Sequence, residues 1–330
     1  MTQLRAVLLT LFLGAAPVAA QGGRVHVLLV SGLGGEPAEG RRFVEAATLV
    51  HETARSRWGV ADSSLIFLAE RPADDPTRIG GRSTREATAD AFLHLSRRVS
   101  PGDVVLVLVI GHGSGEGAES RVNLPGPDPV AADWNTWLAG FAQQTVVMIV
   151  AASGSGDLLP LLSGPNRIVM TATKSASERN ASIFADKIAL GLSSGDADAD
   201  KDGTVSALEA YRFAKAAVAR AYESDKRLLT EHAQLDDNGD RIGSPDPGIA
   251  PSKDGALAGQ VSFQRRAESS DPRIVALVAE RRALESQLAA LRARKASTDS
   301  VSYARDLERL LVEIATRTRA IRAIEQGGTP

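Results

Sequence analysis

The strongest constraint on this chain is a set of short runs made almost wholly of Val, Leu and Ile, at residues 25–30, 65–68, 104–110, 146–150 and 168–170. A strand with one wet face alternates polar and apolar residues, and these runs do not. They read as strands buried on both faces, as in a parallel sheet covered by helices. The stretches between them keep helical spacing: Phe43, Ala47, Val50 and Ala54, then Ala87, Ala91 and Leu95. Ser83-Thr84-Arg85-Glu86 has the S-x-x-E form of a capping box, which predicts the start of the second helix there. Strand and helix alternating over residues 24–195 implies an α/β fold with a mostly parallel sheet flanked by helices.

The flanking segments have other characters. Residues 1–20 carry Arg5, a short apolar run and the small residues Val18-Ala19-Ala20, the pattern of a signal peptide cleaved before Gln21. An uncleaved anchor is the alternative, but the apolar run is short for a bilayer, which needs about 20 residues. The expectation is an exported protein, periplasmic or secreted, with no membrane association after cleavage. The remainder divides into an α/β domain at 21–195, an acidic loop, helix and irregular extension at 196–265, and a charged helical segment at 266–330. In that last segment Leu277, Leu284, Leu288 and Leu291, then Tyr303, Leu307, Leu310, Ile314, Ile321 and Ile324, keep steps of three, four and seven. This spacing predicts a coiled-coil-like helical hairpin, docked on its own domain or serving self-association through 272–326.

Charge and cysteine content exclude several functions. A net charge of −2 gives no basic footprint for nucleic acid. The absence of cysteine removes disulfides, thiolate metal sites and any thiol nucleophile.

In a parallel sheet, reactive residues gather in the loops that leave the carboxyl ends of strands. Two such loops stand out: Gly111-His112-Gly113-Ser114, after the run 104–110, and Ala152-Ser153-Gly154-Ser155-Gly156, after the run 146–150. On neighbouring strands His112 and Ser153 would emerge at one edge. Together with Asn123-Leu124-Pro125-Gly126-Pro127-Asp128 and Arg167-Ile168-Val169-Met170-Thr171-Ala172-Thr173, these loops resemble the legumain-like peptidases and their caspase relatives, in particular exported bacterial members. The likeness covers roughly residues 24–195. It implies a caspase-like sheet and a His–Cys dyad, with His112 as the histidine, Gly113 as an oxyanion donor through its N–H, and Ser153 in the position of the cysteine.

That replacement leaves three readings open. The first is a peptidase-fold protein without thiol peptidase activity, a pseudoenzyme that binds a peptide or protein at the His112/Ser153 cleft or serves assembly. The second is a hydrolase with Ser153, or Ser155, as nucleophile, His112 as base, and the N–H groups of Gly113 and Ser153 as oxyanion donors. It lacks an evident carboxylate to orient His112, although Glu116, Glu119 and Asp128 lie nearby in the chain. The third is structural, a satisfied histidine beside a tight turn.

The acidic stretch 198–209 matches the calcium-binding EF-hand loop. Asp198, Asp200 and Asp202 occupy positions 1, 3 and 5, Gly203 the turn, Thr204 the backbone-carbonyl position, Ser206 position 9 and Glu209 the bidentate end. The bland alternative is an acidic helix N-terminus favoured by the helix dipole. Calcium is the expected metal, with no organic cofactor, and its role a structural clamp. Asp236, Asn238 and Asp240 form a partial second loop, in which Arg241 replaces the turn glycine and Pro247 the last ligand; it reads equally as an Asx-rich turn.

Overall fold

The computed structural model describes residues 23–264, 271–293 and 299–325, so the expected signal peptide at 1–20 lies outside the described residues. In chain order the elements are β1 (Val25–Ser31), α1 (Pro37–Ser56), β2 (Leu65–Ala69), β3 (Gly81–Arg82), α2 (Arg85–Ser96), β4 (Val104–Gly111), β5 (Gly113–Ser114), β6 (Arg121–Val122), α3 (Ala131–Leu138), β7 (Thr145–Ala152), α4 (Leu159–Leu162) and β8 (Arg167–Thr171). They continue with α5 (Phe184–Ser193), α6 (Ala207–Ser224), β9 (Gln234–Asp236), α7 (Pro272–Ala293) and α8 (Ser300–Glu325).

Seven strands form one sheet in the order β3-β2-β1-β4-β7-β8-β9, parallel throughout except for the antiparallel β8–β9 pair. The unbroken apolar runs have the expected cause. Along β4, Leu106, Leu108 and Ile110 face a core shared with α1, α5 and α6, including Phe43, Val50, Ile188 and Tyr211. Val105, Val107 and Val109, one residue out of phase, face a second core with Phe92, Leu95, Trp134 and Leu138 from α2 and α3. A period of two therefore supplies both faces, and neither can be polar. Each such side chain contributes about 1.5–3 kcal/mol on burial.

The cap of α2 differs from its expected place. Thr84, not Ser83, is the cap, its hydroxyl accepting from Ala87 N–H at 3.1 Å. The Ser83 hydroxyl instead donates to the Ser31 carbonyl at 2.7 Å, tying the end of β1 to the start of the helix. The short β3, β5, β6 and β9 carry no apolar run long enough to announce them.

Register places the candidate residues at one edge. Gly111 of β4 pairs with Ala152 of β7, and Ser31 of β1 with Ile110 of β4. The loops beginning at Gly32, His112 and Ser153 thus leave three adjacent strands at one level.

The C-terminal helices share two apolar clusters. Leu284, Leu288 and Leu291 of α7 meet Tyr303, Leu307, Leu310 and Ile314 of α8, and Ile274, Leu277 and Val278 meet Ile321 and Ile324. The pairing of early α7 with late α8 makes them antiparallel. The polar break expected at 297–300 falls partly outside the described residues. Among the described residues no helix is long and apolar enough to cross a membrane.

Candidate functional site

β4 ends on Gly111, and the next residue, His112, turns its imidazole back over the sheet edge. Its Nε2 lies 3.2 Å from the Gly34 carbonyl, and its ring meets Phe43 edge-on at 5.4 Å. A carbonyl only accepts, so this contact puts the proton on Nε2 and leaves the lone pair on Nδ1. The Gly34 N–H donates to Glu70 Oε2 at 3.1 Å, so the carboxylate of Glu70 holds the peptide segment against which the imidazole rests. Neither Gly34 nor Glu70 was marked by the sequence reading; the only local signal is the glycine-rich loop 32–35 that follows β1.

Ser153 sits directly after β7 and is 2% exposed. Gly113 donates its N–H to Ser153 Oγ at 3.4 Å, a long contact. A Cβ at Gly113 would come within 2.2 Å of the Ser153 carbonyl oxygen, so no other residue fits there without moving the second loop. Gly154 turns the chain in the left-handed region at φ 62°, and its N–H donates to the Glu178 carbonyl at 2.8 Å. His112 and Ser153 are thus brought to one edge, as expected, yet among the described residues no hydrogen bond joins them.

The other candidates are placed as follows. Ser155 is 1% exposed, and its Oγ accepts from Ala172 N–H at 3.1 Å and meets Thr173 Oγ1 at 3.3 Å. That hydroxyl fastens the loop to the end of β8 and is not presented as a nucleophile. Glu116 pairs with Arg179 at 3.0 Å, Glu119 lies 3.6 Å from Arg121, and Asp128 accepts from Leu124 N–H at 2.8 Å. None of these carboxylates orients His112. Beside the Ser153 loop lies a groove of about 430 Å³ lined by Gly117, Gly156, Asp157, Pro160, Lys174 and Arg241. Asp157 braces its wall, accepting from Gly117 and Ala176 N–H at 2.9 and 3.0 Å.

In the acidic stretch 198–209 the three aspartates come together. Carboxylate oxygens of Asp198, Asp200 and Asp202 all lie within 4.8 Å of one another. Thr204 donates its N–H and hydroxyl to Asp202 Oδ1, both at 2.8 Å. Ser206 caps α6 in a capping box with Glu209. Glu209 folds back so that Oε1 accepts from Ala199 and Asp200 N–H while Oε2 accepts from Ser206. Loss of water around the Asp200 carboxyl, followed by the negative charges of Asp202, Glu209 and Asp198, pushes its pKa up to about 6. An oxygen-only donor set with crowded negative charge fits a hard divalent cation such as calcium, which would relieve that repulsion.

The partial loop also closes on itself. Asp236 accepts from Asn238, Gly239 and Arg241 N–H, and Arg241 takes the left-handed conformation, φ 69°, expected of a glycine. Asp254, not anticipated from sequence, joins Asp236 and Asp240, with Asn238 Nδ2 donating to its Oδ1 at 2.8 Å. Pro247 instead accepts Arg212 at its carbonyl at 2.6 Å. Compared with protein-family models and with curated proteins, the chain matches none.

Proposed function

We propose that this is an exported protein with a caspase- and legumain-like peptidase fold that lacks thiol peptidase activity, binds a peptide or protein segment along the His112/Ser153 edge, and is stabilised by calcium in the 198–209 loop. The observation that carries the reading is the state of the two central side chains. The Ser153 hydroxyl is buried and accepts from Gly113, while the imidazole of His112 rests on the Gly34 carbonyl and, among the described residues, bonds to no carboxylate. A serine nucleophile needs a base within about 2.6–3.2 Å and a group that orients that base. The neighbouring groove, with Asp157 against Lys174 and Arg241, supports binding of a polar extended segment. The C-terminal helices offer a surface for self-association, their outer faces exposing Val275, Val301, Leu311 and Val312.

A second reading, a Ser153–His112 hydrolase, is favoured by one feature: with the proton on Nε2, the free lone pair of Nδ1 is available as a base. Treatment of the purified protein with a broad serine-directed phosphonate, with the adduct located by mass spectrometry, separates the two. No adduct on the folded protein supports the binding module. Labelling of Ser153 that disappears in His112→Ala establishes the hydrolase instead.

A further inference from the structure

At the opposite end of the sheet, where the strands begin, lies a cavity of about 460 Å³. Arg24, His26, Trp58, Ser64, Arg97 and Arg98 line it. It is formed by the first residues of β1, the connection from α1 to β2, and the residues just after α2. It therefore shares no residue with the Ser153 groove.

The lining is cationic and its cations are unspent. Among the described residues no carboxylate lies within ion-pairing distance of Arg24, Arg97 or Arg98. Arg98 donates Nε only to the neutral-capable ring of His94, at 2.8 Å. The acid nearest in the chain to the α1–β2 rim of the cavity, Asp62, pairs outward with Arg55 at 3.2 Å. Asp103, behind the wall, is used up by donors: Arg24 N–H at 2.7 Å, Ser100 N–H at 2.8 Å and His26 Nε2 at 3.1 Å. The wall of the cavity includes the buried His26. His26 is 1% exposed, its Nε2 is committed to Asp103, and its Nδ1 is enclosed without a hydrogen-bond partner.

We propose that this cavity is a binding site for a small phosphate-bearing ligand. Three guanidiniums exceed what one carboxylate can neutralise, whereas a phosphate carries up to two charges and oxygens enough for several forked N–H donors. The volume falls in the range of small-molecule pockets and exceeds inorganic phosphate, leaving room for an organic portion beside Trp58 and Ser64.

Inorganic phosphate is the probe, titrated into the whole protein by calorimetry against chloride at equal ionic strength. The expected result is saturable one-to-one binding, weakened roughly tenfold or more in Arg97→Ala plus Arg98→Ala and unchanged in Arg319→Ala, since charge-assisted forks carry such sites. Arg97 and Arg98 are exposed, so the double variant keeps the fold, and tryptophan emission recorded in Trp134→Phe plus Trp137→Phe, where Trp58 remains, gives a second readout of occupancy. Co-sedimentation with phosphatidylglycerol vesicles separates the source of the phosphate. Vesicle binding lost in the double variant, without saturation by free phosphate, assigns the site to a lipid headgroup. Absence of both responses, or responses identical in the double variant, overturns the proposal.

Discussion

The guanidinium of Arg281 lies 3.0 Å from the Asp202 carboxylate, joining helix α7 to the acidic loop that precedes α6. Arg281 is 2% exposed, and its Nε also lies 3.2 Å from Glu285 on the same helix. Asp202 is at once the fifth position of the proposed calcium loop and the partner of Arg281 on α7. A calcium ion bound as proposed would draw on the same carboxylate as Arg281. We expect Arg281→Met to raise apparent calcium affinity severalfold in a chelator-buffered titration. Without calcium the same change costs about 1–3 kcal/mol in urea unfolding, because both carboxylate partners are partly exposed. Unchanged calcium affinity would show that the two cations do not compete.

Calcium itself is expected to raise the melting temperature, since a ligand that binds only the folded state stabilises it by about 2.7 kcal/mol at a hundred times its Kd. Asp198→Ala plus Glu209→Ala should abolish that shift. A shift that survives in the double variant moves the metal elsewhere, and Asp236, Asp240 and Asp254 become the residues to test.

Gly113→Ala should be among the most damaging single-methyl additions in the molecule. The added carbon meets the Ser153 carbonyl at 2.2 Å, between two loops anchored on the central strands. Overpacking of this kind costs about 1–3 kcal/mol. Equilibrium unfolding measures it, and a loss below a few tenths would mean that the loops separate easily.

His51, in α1, should make the fold acid-sensitive. Burial, reinforced by the positive charges of Arg55 and Arg78, holds its pKa below the ordinary imidazole value of 6.5. Below pH 6.5 the unfolded chain binds a proton that the folded chain refuses, so stability falls as pH drops from 6.5 toward the depressed value. Above 6.5 the effect vanishes. His51→Phe, which keeps a ring beside Phe67, should flatten the melting temperature over that window; an unaltered slope assigns the acid sensitivity to another group.

Removal of the chain from Asp271 onward tests the C-terminal helices. If their exposed Val301, Leu311 and Val312 serve self-association, the mass measured by light scattering drops to that of a monomer. An unchanged oligomeric mass removes that role.

The layers of this fold were legible because burial on both faces of a strand leaves a mark in the chain itself: Val105 and Leu106 both have to be apolar, whichever way they point. The clustering of Asp198, Asp200 and Asp202 was legible for a similar reason, since they lie within five consecutive residues. What escaped depends on approach across the fold. Glu70 reaches Gly34 and Gly34 reaches His112 from separate strands, and no spacing connects the three. Asp254 joins Asp236 through a loop of irregular conformation. The cap of α2 moved by one residue because the Ser31 carbonyl, distant in sequence, claimed the Ser83 hydroxyl.

The pairing of Gly111 with Ala152 has a consequence for descent. Adjacent strands stand about 4.8 Å apart whatever their sequences, so the distance between the origins of the two loops is inherited from the sheet. Insertions, deletions and replacements in the crossovers between them leave it untouched. Under the proposed reading, the residue at 153 can be replaced while His112 keeps its place across the pair of strands.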